Sequence, residues 1–153
     1  MEMIVKEADI NSKDANKLIE ALSLELENLT GNSGKGSFNK EEMSGKGASF
    51  AICYVNEEAV GCGAIRPLEK KCAEIKRVYT KKAYRKSGVG KALLDFLENK
   101  ARTFGYDEIK LETRRINEKA VRFYQGNGYK ECLPYGKYIG RSEAICMTKA
   151  LNN

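Results

Sequence analysis

The stretch AEIKRVYTKKAYRKSGVGKALLDFLENKA, residues 73–101, combines a strand pattern, a glycine loop and a helix pattern. Its first eight residues are rich in apolar and β-branched side chains, which is typical of a strand. From Val89 onward, apolar residues recur at helical spacing. Between the two, YRKSGVG at 84–90 brings basic residues and two glycines to the start of the helix. Because the first backbone N–H groups of a helix have no partner within it, this loop predicts an anion-binding site.

Three phosphate-binding patterns and one purely structural interpretation compete for this loop. A Walker loop requires G-x-x-x-x-G-K-S/T, but Arg85 replaces its first glycine and Ala92 its hydroxyl residue. The dinucleotide fingerprint starts with Gly88 and Gly90 but meets Leu93 where a small residue is required. The pattern Q/R-x-x-G-x-G/A is satisfied at each constrained position by residues 85–90. A tight strand-to-helix turn without a ligand is the structural alternative.

Outward from this stretch, apolar periodicity and turn residues predict ten elements in the order β-α-β-β-β-α-β-α-β-β. The predicted strands lie within 3–10, 49–55, 59–65, 73–80, 109–113, 129–133 and 144–150. Of the three predicted helices, the first is capped by Ser12, the second starts at Val89 and the third is capped by Asn117. The expected fold is α+β, with one mixed sheet flanked by helices, in a single domain over 1–153. Gly61 and Gly63 indicate a bulge or a close backbone approach. The glycine-rich segment 31–47 is either a flexible connection or a flap over the substrate.

The composition argues against two classes of protein, those that bind nucleic acid and those that contact a membrane. Lys and Arg total 27 against 21 Asp and Glu, a net charge of +6. The basic residues are spread along the chain without a basic tail, so we expect no nucleic-acid partner. Neither a signal-peptide pattern nor an apolar run of membrane-spanning length is present in the sequence. We therefore expect a cytoplasmic protein that does not contact a membrane.

The chain contains no histidine, and its five cysteines lack CxxC spacing. We therefore expect reduced, mostly buried thiols and no metal site. The lack of histidine also excludes Ser-His and Cys-His catalytic pairs. An enzyme of this sequence must use Glu, Asp, Tyr, Lys or Cys for proton transfer.

Residues 73–101, followed by LETRRINEKAVRFYQGNGYKE at 111–131, resemble the core of the GNAT superfamily of acyl-CoA-dependent N-acyltransferases. Three features agree: the loop, the strand that enters it, and an N-x-x-A-x-x-F-Y-x-x-x-G-Y pattern that starts at Asn117. The resemblance is strong over 59–131, and the element order extends it over nearly the whole chain. It implies a mostly antiparallel sheet in which two central parallel strands, 73–80 and 109–113, splay apart.

The resemblance implies acetyl-CoA as the acyl donor and no metal. The pyrophosphate would lie on the loop 85–91 and the pantetheine arm along the preceding strand. Asn117 would contact this arm, cap the helix that follows it, or do both. The implied cofactor-binding residues are Val78, Tyr79, Thr80, Arg85, Lys86, Ser87, Gly88, Val89, Gly90, Lys91, Asn117 and Tyr124.

The implied reaction is N-acetyl transfer by direct attack of an amine through a tetrahedral intermediate. An alkylamine, with a pKa of about 10.4, arrives protonated, and the departing thiolate needs a proton, so one base and one acid are required. Tyr124 occupies the position of the family's common acid, and its alternative is a buried phenol that packs on a helix partner. Glu74 occupies a strand position where several members place a base, and its alternative is a surface or salt-bridged Glu beside Lys76 or Arg77. Glu112, acting through water, is the alternative base. A main-chain N–H near Val78 would stabilise the oxyanion.

The core motifs do not identify the acceptor. We expect a small-molecule amine, with a peptide amine (a protein lysine or N-terminus) as the other option, and a homodimer is conceivable. Tyr135 and Tyr138 could wall the pocket, together with the first helix and segment 31–47. Four arginines could bind a substrate carboxylate or be ordinary surface charges: Arg66, Arg77, Arg114 and Arg141. The alternatives to an enzyme are a non-catalytic acyl-CoA sensor and a nucleic-acid-binding domain.

Overall fold

The computed structural model describes residues 2–35, 39–43 and 45–151. Its strands are β1 (Met3–Glu7), β2 (Ser49–Val55), β3 (Glu58–Glu69), β4 (Cys72–Thr80), β5 (Glu108–Arg114), β6 (Lys130–Glu131) and β7 (Ala144–Ala150). Its α-helices are α1 (Lys13–Thr30), α2 (Val89–Thr103) and α3 (Glu118–Gly126), with short 3₁₀ turns at Lys40–Met43, Lys82–Tyr84 and Gly136–Tyr138. The order of strands and α-helices is the one that the sequence predicts.

The strands form one sheet in the order β1-β2-β3-β4-β5-β7-β6. Neighbouring strands run antiparallel except β4 and β5, which are parallel at the centre. The predicted α+β fold with a mixed, mostly antiparallel sheet is therefore confirmed. No helix within the described ranges is both long enough and apolar enough to cross a membrane.

The two central strands pair only at their start. Three residue pairs join them, the last being Glu74 with Lys110. β4 continues to Thr80 and β5 to Arg114. Beyond the last pair, the edge of β4 that faces β5 and the edge of β5 that faces β4 have no strand partner in the described chain. The predicted splay is confirmed. It opens a gap at the centre of the sheet, where backbone groups of both strands can bind something other than a strand.

β4 contains a bulge within the splayed part. Gly63 of β3 faces two residues of β4, Arg77 and Val78, where the register between the strands shifts. Arg77 has a left-handed φ of 57°, and its guanidinium donates to the Ile19 carbonyl at 3.2 Å and to the Ser23 hydroxyl. These bonds to α1 hold the strained residue in place.

The glycines of β3 allow the close approach that the sequence indicates. A Cβ on Gly61 would lie 2.9 Å from the Tyr79 carbonyl oxygen, and one on Gly63 would lie 2.9 Å from a Leu97 methyl carbon. Both distances are shorter than a van der Waals contact. Glycine here therefore lets β4 and α2 pack closely against β3.

Helices cover the two faces of the sheet. Ile52 packs in a cluster with Leu18 of α1, whereas the next residue, Cys53, packs in a cluster with Leu97 of α2. Successive strand residues point to opposite faces, so α1 lies on one face, and α2 and α3 lie on the other. Ser12 begins α1 as predicted, since its hydroxyl accepts from the Ala15 N–H at 3.2 Å.

Two segments differ from the sequence-based expectation. The strand predicted over 129–133 is limited to Lys130–Glu131, and the Cys132 N–H makes one more bond to β7, at 2.9 Å to the Cys146 carbonyl. The glycine-rich segment 31–47 contains a 3₁₀ turn at Lys40–Met43. Residues 36–38 and 44 of this segment lie outside the described part of the chain.

Candidate active site

The loop before α2 presents a run of backbone donors. Lys86 and Gly88 have left-handed φ angles of 65° and 93°. Within the described chain, the N–H groups of residues 86–91 make no hydrogen bond, whereas the Ala92 N–H bonds the Gly88 carbonyl at 3.0 Å. Six consecutive donors therefore lie at the positive end of α2, an arrangement that suits phosphate oxygens.

The two glycines of the loop are required for different reasons. A Cβ on Gly88 would meet no atom within 4 Å, so its left-handed φ is what favours glycine. A Cβ on Gly90 would lie 2.8 Å from Cζ of Phe123. Gly90 therefore lets α3 pack against the first turn of α2, a role that the sequence motif does not reveal.

The basic side chains of the loop are partly neutralised. Arg85 donates from Nη2 to both carboxylate oxygens of Glu25 at 2.8 Å and from Nε to the Thr80 carbonyl at 2.9 Å. Lys91 pairs with Asp95, one helical turn later, at 2.9 Å. Arg85 thus braces the loop against α1 and the end of β4. The backbone N–H groups, more than these two side chains, equip the loop for an anion.

Tyr124 enters the interior from α3. Its ring makes edge contacts with Phe123 and Tyr129, with centroids 5.1 and 5.7 Å away. It belongs to the same core cluster as Leu111, the first β5 residue beyond the pairing with β4. Burial raises the pKa of its phenol, and no described residue hydrogen-bonds its hydroxyl. The phenol is therefore a protonated donor on the α2/α3 face of the sheet.

The other predicted cofactor residues lie on the splayed strand and at the start of α3. Tyr79 and Thr80 pair with β3 on one side, and the other edge of β4 has no strand partner in the described chain beyond Glu74. Asn117 caps α3, since its side-chain oxygen accepts from the Ala120 N–H at 3.3 Å. The predicted cap is present, and a contact between Asn117 and a cofactor stays a prediction.

The opposite face of β5 carries polar side chains beside two tyrosines. Directly paired residues of antiparallel strands share a face of the sheet. Glu112 pairs with Cys146 and Arg114 pairs with Ala144, and these two β7 residues belong to one cluster of buried side chains. That cluster consists of Tyr135, Tyr138, Ala144 and Cys146. We call this side of the sheet the tyrosine face, defined by Tyr135 and Tyr138. A role for the two tyrosines as walls of an acceptor pocket stays a prediction.

Both carboxylate oxygens of Glu74 accept hydrogen bonds on the tyrosine face. Arg66 donates to its Oε1 from Nε at 3.0 Å and from Nη2 at 2.9 Å. The Tyr135 hydroxyl donates to its Oε2 at 2.6 Å, and Lys76 Nζ lies 3.7 Å from the same oxygen. The residue is only 1% exposed. An incoming amine would have to displace one of these donors to reach the Glu74 carboxylate.

Lys76 and Glu112 flank the gap. Glu74 and Lys110 are the last pair between the central strands. Lys76 lies two residues after Glu74 on β4, and Glu112 lies two residues after Lys110 on β5. Lys76 donates to the Tyr138 hydroxyl at 2.6 Å. Burial lowers the pKa of Lys76 and raises the pKa of Glu112, because the loss of water disfavours the charged form of each. Glu112 is therefore a carboxylate with increased affinity for a proton at the edge of the gap.

Sequence reasoning named Lys76 or Arg77 as a salt-bridge neighbour of Glu74, and Lys76 Nζ does lie 3.7 Å from its Oε2. It missed the contacts that Glu74 makes with Arg66 and Tyr135. The bond from Tyr135 to Glu74 joins residues 61 positions apart. No local pattern encodes such a contact.

Comparison with known sequences identifies the family of this chain. Residues 17–129 match the sequence profile of the Acetyltransferase (GNAT) family. The chain is 30% identical over 113 residues to the uncharacterized N-acetyltransferase YsnE of Bacillus subtilis (strain 168), an overlap of 72% of this chain and 75% of that protein.

Two solved structures have the same fold over almost the full length. A candidate acyl-CoA N-acyltransferase from Klebsiella pneumoniae superposes with a TM-score of 0.83 at 27% identity over 98% of both chains. The PaiA N-acetyltransferase of Thermoplasma acidophilum, in complex with coenzyme A, superposes with a TM-score of 0.74 at 21% identity over 98% of this chain and 99% of that one. With the family profile covering most of the chain, this protein belongs to the GNAT acetyltransferase family.

Proposed function

We propose that this protein transfers the acetyl group of acetyl-CoA to the primary amine of a small-molecule acceptor. The observation that carries the proposal is the run of six backbone N–H groups at residues 86–91, directly after the splayed end of β4. A diphosphate fits this place because the donors and the helix dipole both favour negative charge. The coenzyme A bound to the Thermoplasma protein of the same fold supports the assignment.

The proposed binding site for acetyl-CoA extends from the loop at 85–91 to β4. The free edge of β4 suits the pantetheine arm, whose amides can pair with strand backbone groups. We therefore retain the full set of cofactor-binding residues as part of this proposal. It consists of Val78, Tyr79, Thr80, Arg85, Lys86, Ser87, Gly88, Val89, Gly90, Lys91, Asn117 and Tyr124.

In this proposal Tyr124 is the general acid. Acetyl-CoA supplies a thioester: a bond forms between the amine nitrogen and the acyl carbon, and the bond from that carbon to sulfur breaks. Tyr124 gives its phenolic proton to the departing sulfur, and burial keeps that proton in place beforehand by raising the phenol pKa. A main-chain N–H near Val78, in the β4 bulge, would stabilise the charge that develops on the carbonyl oxygen.

We assign the base to Glu112, with Glu74 as the alternative. The raised pKa of Glu112 makes its carboxylate a better proton acceptor near neutral pH. Both oxygens of Glu74 already accept hydrogen bonds from Arg66 or Tyr135. Glu74 is therefore better suited to hold these two side chains in position. Acid and base would then act from opposite faces of the sheet, with the reacting atoms in the gap.

Glu112→Gln is expected to lower kcat/KM roughly 100-fold at neutral pH. The loss should shrink as the pH approaches the acceptor's own pKa of about 10, because an amine that is already neutral needs no base. In the unmodified protein, activity should fall with decreasing pH as Glu112 becomes protonated. Because burial raises the pKa of Glu112, this fall should lie above the range of an ordinary carboxyl group. Initial rates of thiol release across the pH range measure both effects.

Two further variants separate the candidate bases. Glu131→Gln removes an exposed carboxylate that pairs with Arg115 and should leave the rate unchanged. Glu74→Gln should lower the melting temperature, because the Arg66 guanidinium would lose its buried carboxylate partner and keep only the exposed Glu42. If Glu74→Gln abolished the acidic limb of the pH profile and Glu112→Gln retained it, the base would be Glu74.

The proposed function itself is tested with acetyl-CoA against a panel of amines, amino acids, polyamines, aminoglycosides and peptides. We expect acetyl-CoA to raise the melting temperature and at least one small amine to accelerate thiol release above the rate of hydrolysis. Tight binding without turnover on any acceptor would instead favour a non-catalytic acyl-CoA sensor. Failure to bind acetyl-CoA at all would refute both functions.

A further inference from the structure

Arg114 is a half-buried cation on the tyrosine face. It ends β5, two residues after Glu112 on the same face. Its Nε is buried and has no hydrogen-bond partner, and no described residue forms an ion pair or hydrogen bond with its side chain. A buried guanidinium donor without an acceptor is costly. Its placement beside the gap therefore requires an explanation.

The other arginines that could serve a substrate are differently placed. Arg66 contacts both Glu74 and Glu42. Arg77 donates to backbone carbonyls of α1 and of the segment that follows it. Arg141 lies exposed in the connection before β7. The end of β5 therefore holds the guanidinium best placed to receive an anion near the gap.

The charges around Glu112 also favour an anion. Burial is the main reason that the pKa of Glu112 is raised, and three cations oppose this effect: Lys76, Arg114 and Lys137. The carboxylate of Glu74, the other acid nearby, already pairs with a guanidinium inside the protein. Lys76 also lies 3.7 Å from that carboxylate, so the charge that most favours an anion here is that of Arg114, which no described carboxylate pairs with.

We propose that Arg114 binds the carboxylate of an acceptor that carries both an amine and a carboxylate, namely an amino acid or an amino-acid-like compound. The inference rests on the proposed function and names its substrate class. Glu112 and Arg114 are about 7 Å apart along the strand, so one small molecule can reach both side chains. The planar guanidinium matches a carboxylate with two parallel hydrogen bonds. A polyamine would leave Arg114 without an acceptor and add positive charge beside it.

The test compares free α- and ω-amino acids with their carboxamides as acceptors. The two members of each pair have the same amine position and nearly the same shape, and they differ by one negative charge. We expect kcat/KM to be roughly tenfold higher, or more, for the carboxylate member of the preferred pair. The less basic amine of an α-amino acid amide works against this preference, so the comparison is conservative for α-amino acids.

Variants of Arg114 show whether this side chain recognises the carboxylate of the acceptor. Arg114→Gln should bring the carboxylate-to-carboxamide ratio close to one by losing activity on the carboxylate and keeping it on the carboxamide. Arg114→Lys, which keeps the charge but loses the planar fork, should give an intermediate ratio. The matched control is Arg115→Gln, which removes the same charge from an exposed side chain that pairs with Glu131. It should keep the unmodified ratio.

Calorimetry supplies a readout that needs no turnover. With coenzyme A present, N-acetylated amino acids and their N-acetylated carboxamides are titrated into the unmodified protein and into Arg114→Gln. We expect the carboxylate to bind more tightly to the unmodified protein and this preference to disappear in the variant.

The outcomes distinguish the substrate class from the function. Equal kcat/KM within every pair, or a preference that survives in Arg114→Gln, would overturn the Arg114 site and leave the acetyltransferase activity standing. If no acceptor is turned over, a carboxylate preference in calorimetry that depends on Arg114 would support the site and reject the proposed function. No preference in that case would reject both.

Discussion

Gly88→Glu is expected to abolish the stabilisation of this protein by coenzyme A. The new carboxylate would stand among the six backbone N–H donors of residues 86–91 and repel the diphosphate from them. At a ligand concentration of 100 times Kd, binding stabilises the native state by about 2.7 kcal/mol. For a chain of this size, that corresponds to a rise in melting temperature of roughly 5–10 °C. Thermal denaturation with and without coenzyme A measures the rise, which should be absent in the variant.

Gly105→Glu is the matched control for this experiment. Gly105 lies just beyond the other end of α2, has a φ of 91° against 93° for Gly88, and likewise has open space where a Cβ would stand. Both variants should lose a similar amount of intrinsic stability, because each places a side chain on a left-handed residue. Only Gly88→Glu should lose the response to coenzyme A. An undiminished response in Gly88→Glu would reject the loop as the diphosphate site.

Tyr124→Phe is expected to lower kcat roughly 100-fold and to leave coenzyme A binding intact. The substitution removes only the hydroxyl, and the ring contacts with Phe123 and Tyr129 do not depend on it. The departing thiolate would then have to take its proton from water. Steady-state rates and thermal shifts on the same preparation measure the two properties separately.

Tyr106→Phe controls for the loss of a buried phenol. Tyr106 belongs to the same core cluster as Tyr124, but its hydroxyl donates to the Gly47 carbonyl at 2.9 Å, away from α3. This variant should lose some stability and keep its kcat. An unaltered kcat in Tyr124→Phe would exclude the phenol as the proton donor.

The architecture was predictable because its signals are local. Strands β2 and β7 coincide with the predicted segments, since their apolar and β-branched runs are bounded by turn residues. The start of α2 follows from the glycine loop, and Asn117 does cap α3. The splay of β4 and β5 came from the family resemblance and not from any residue pattern. Local periodicity alone would have left the two strands paired along their full length.

The parts that could not be predicted depend on contacts between distant segments. Nothing in the residue type of Arg77 indicates a left-handed φ, which is held by bonds from its own side chain to α1. The motif indicated Arg85 as a positive charge for the ligand, yet its guanidinium is bound by Glu25 of α1. Glu74 matched a family position for a base, but the sequence could not reveal that Arg66 and Tyr135 occupy its oxygens. Each of these contacts exists only once the chain has folded.

The gap between β4 and β5 also determines how the acetyl group would travel. Tyr124 packs on the α2/α3 face of the sheet, while Glu112 lies on the tyrosine face. On the proposed function, donor and acceptor therefore occupy separate entrances and are held together in one ternary complex. In that complex the acyl carbon would pass directly from sulfur to nitrogen without bonding to any side chain. The proposed mechanism therefore predicts no acylated form of the protein that water could hydrolyse, and it predicts that rapid consumption of the donor requires an acceptor.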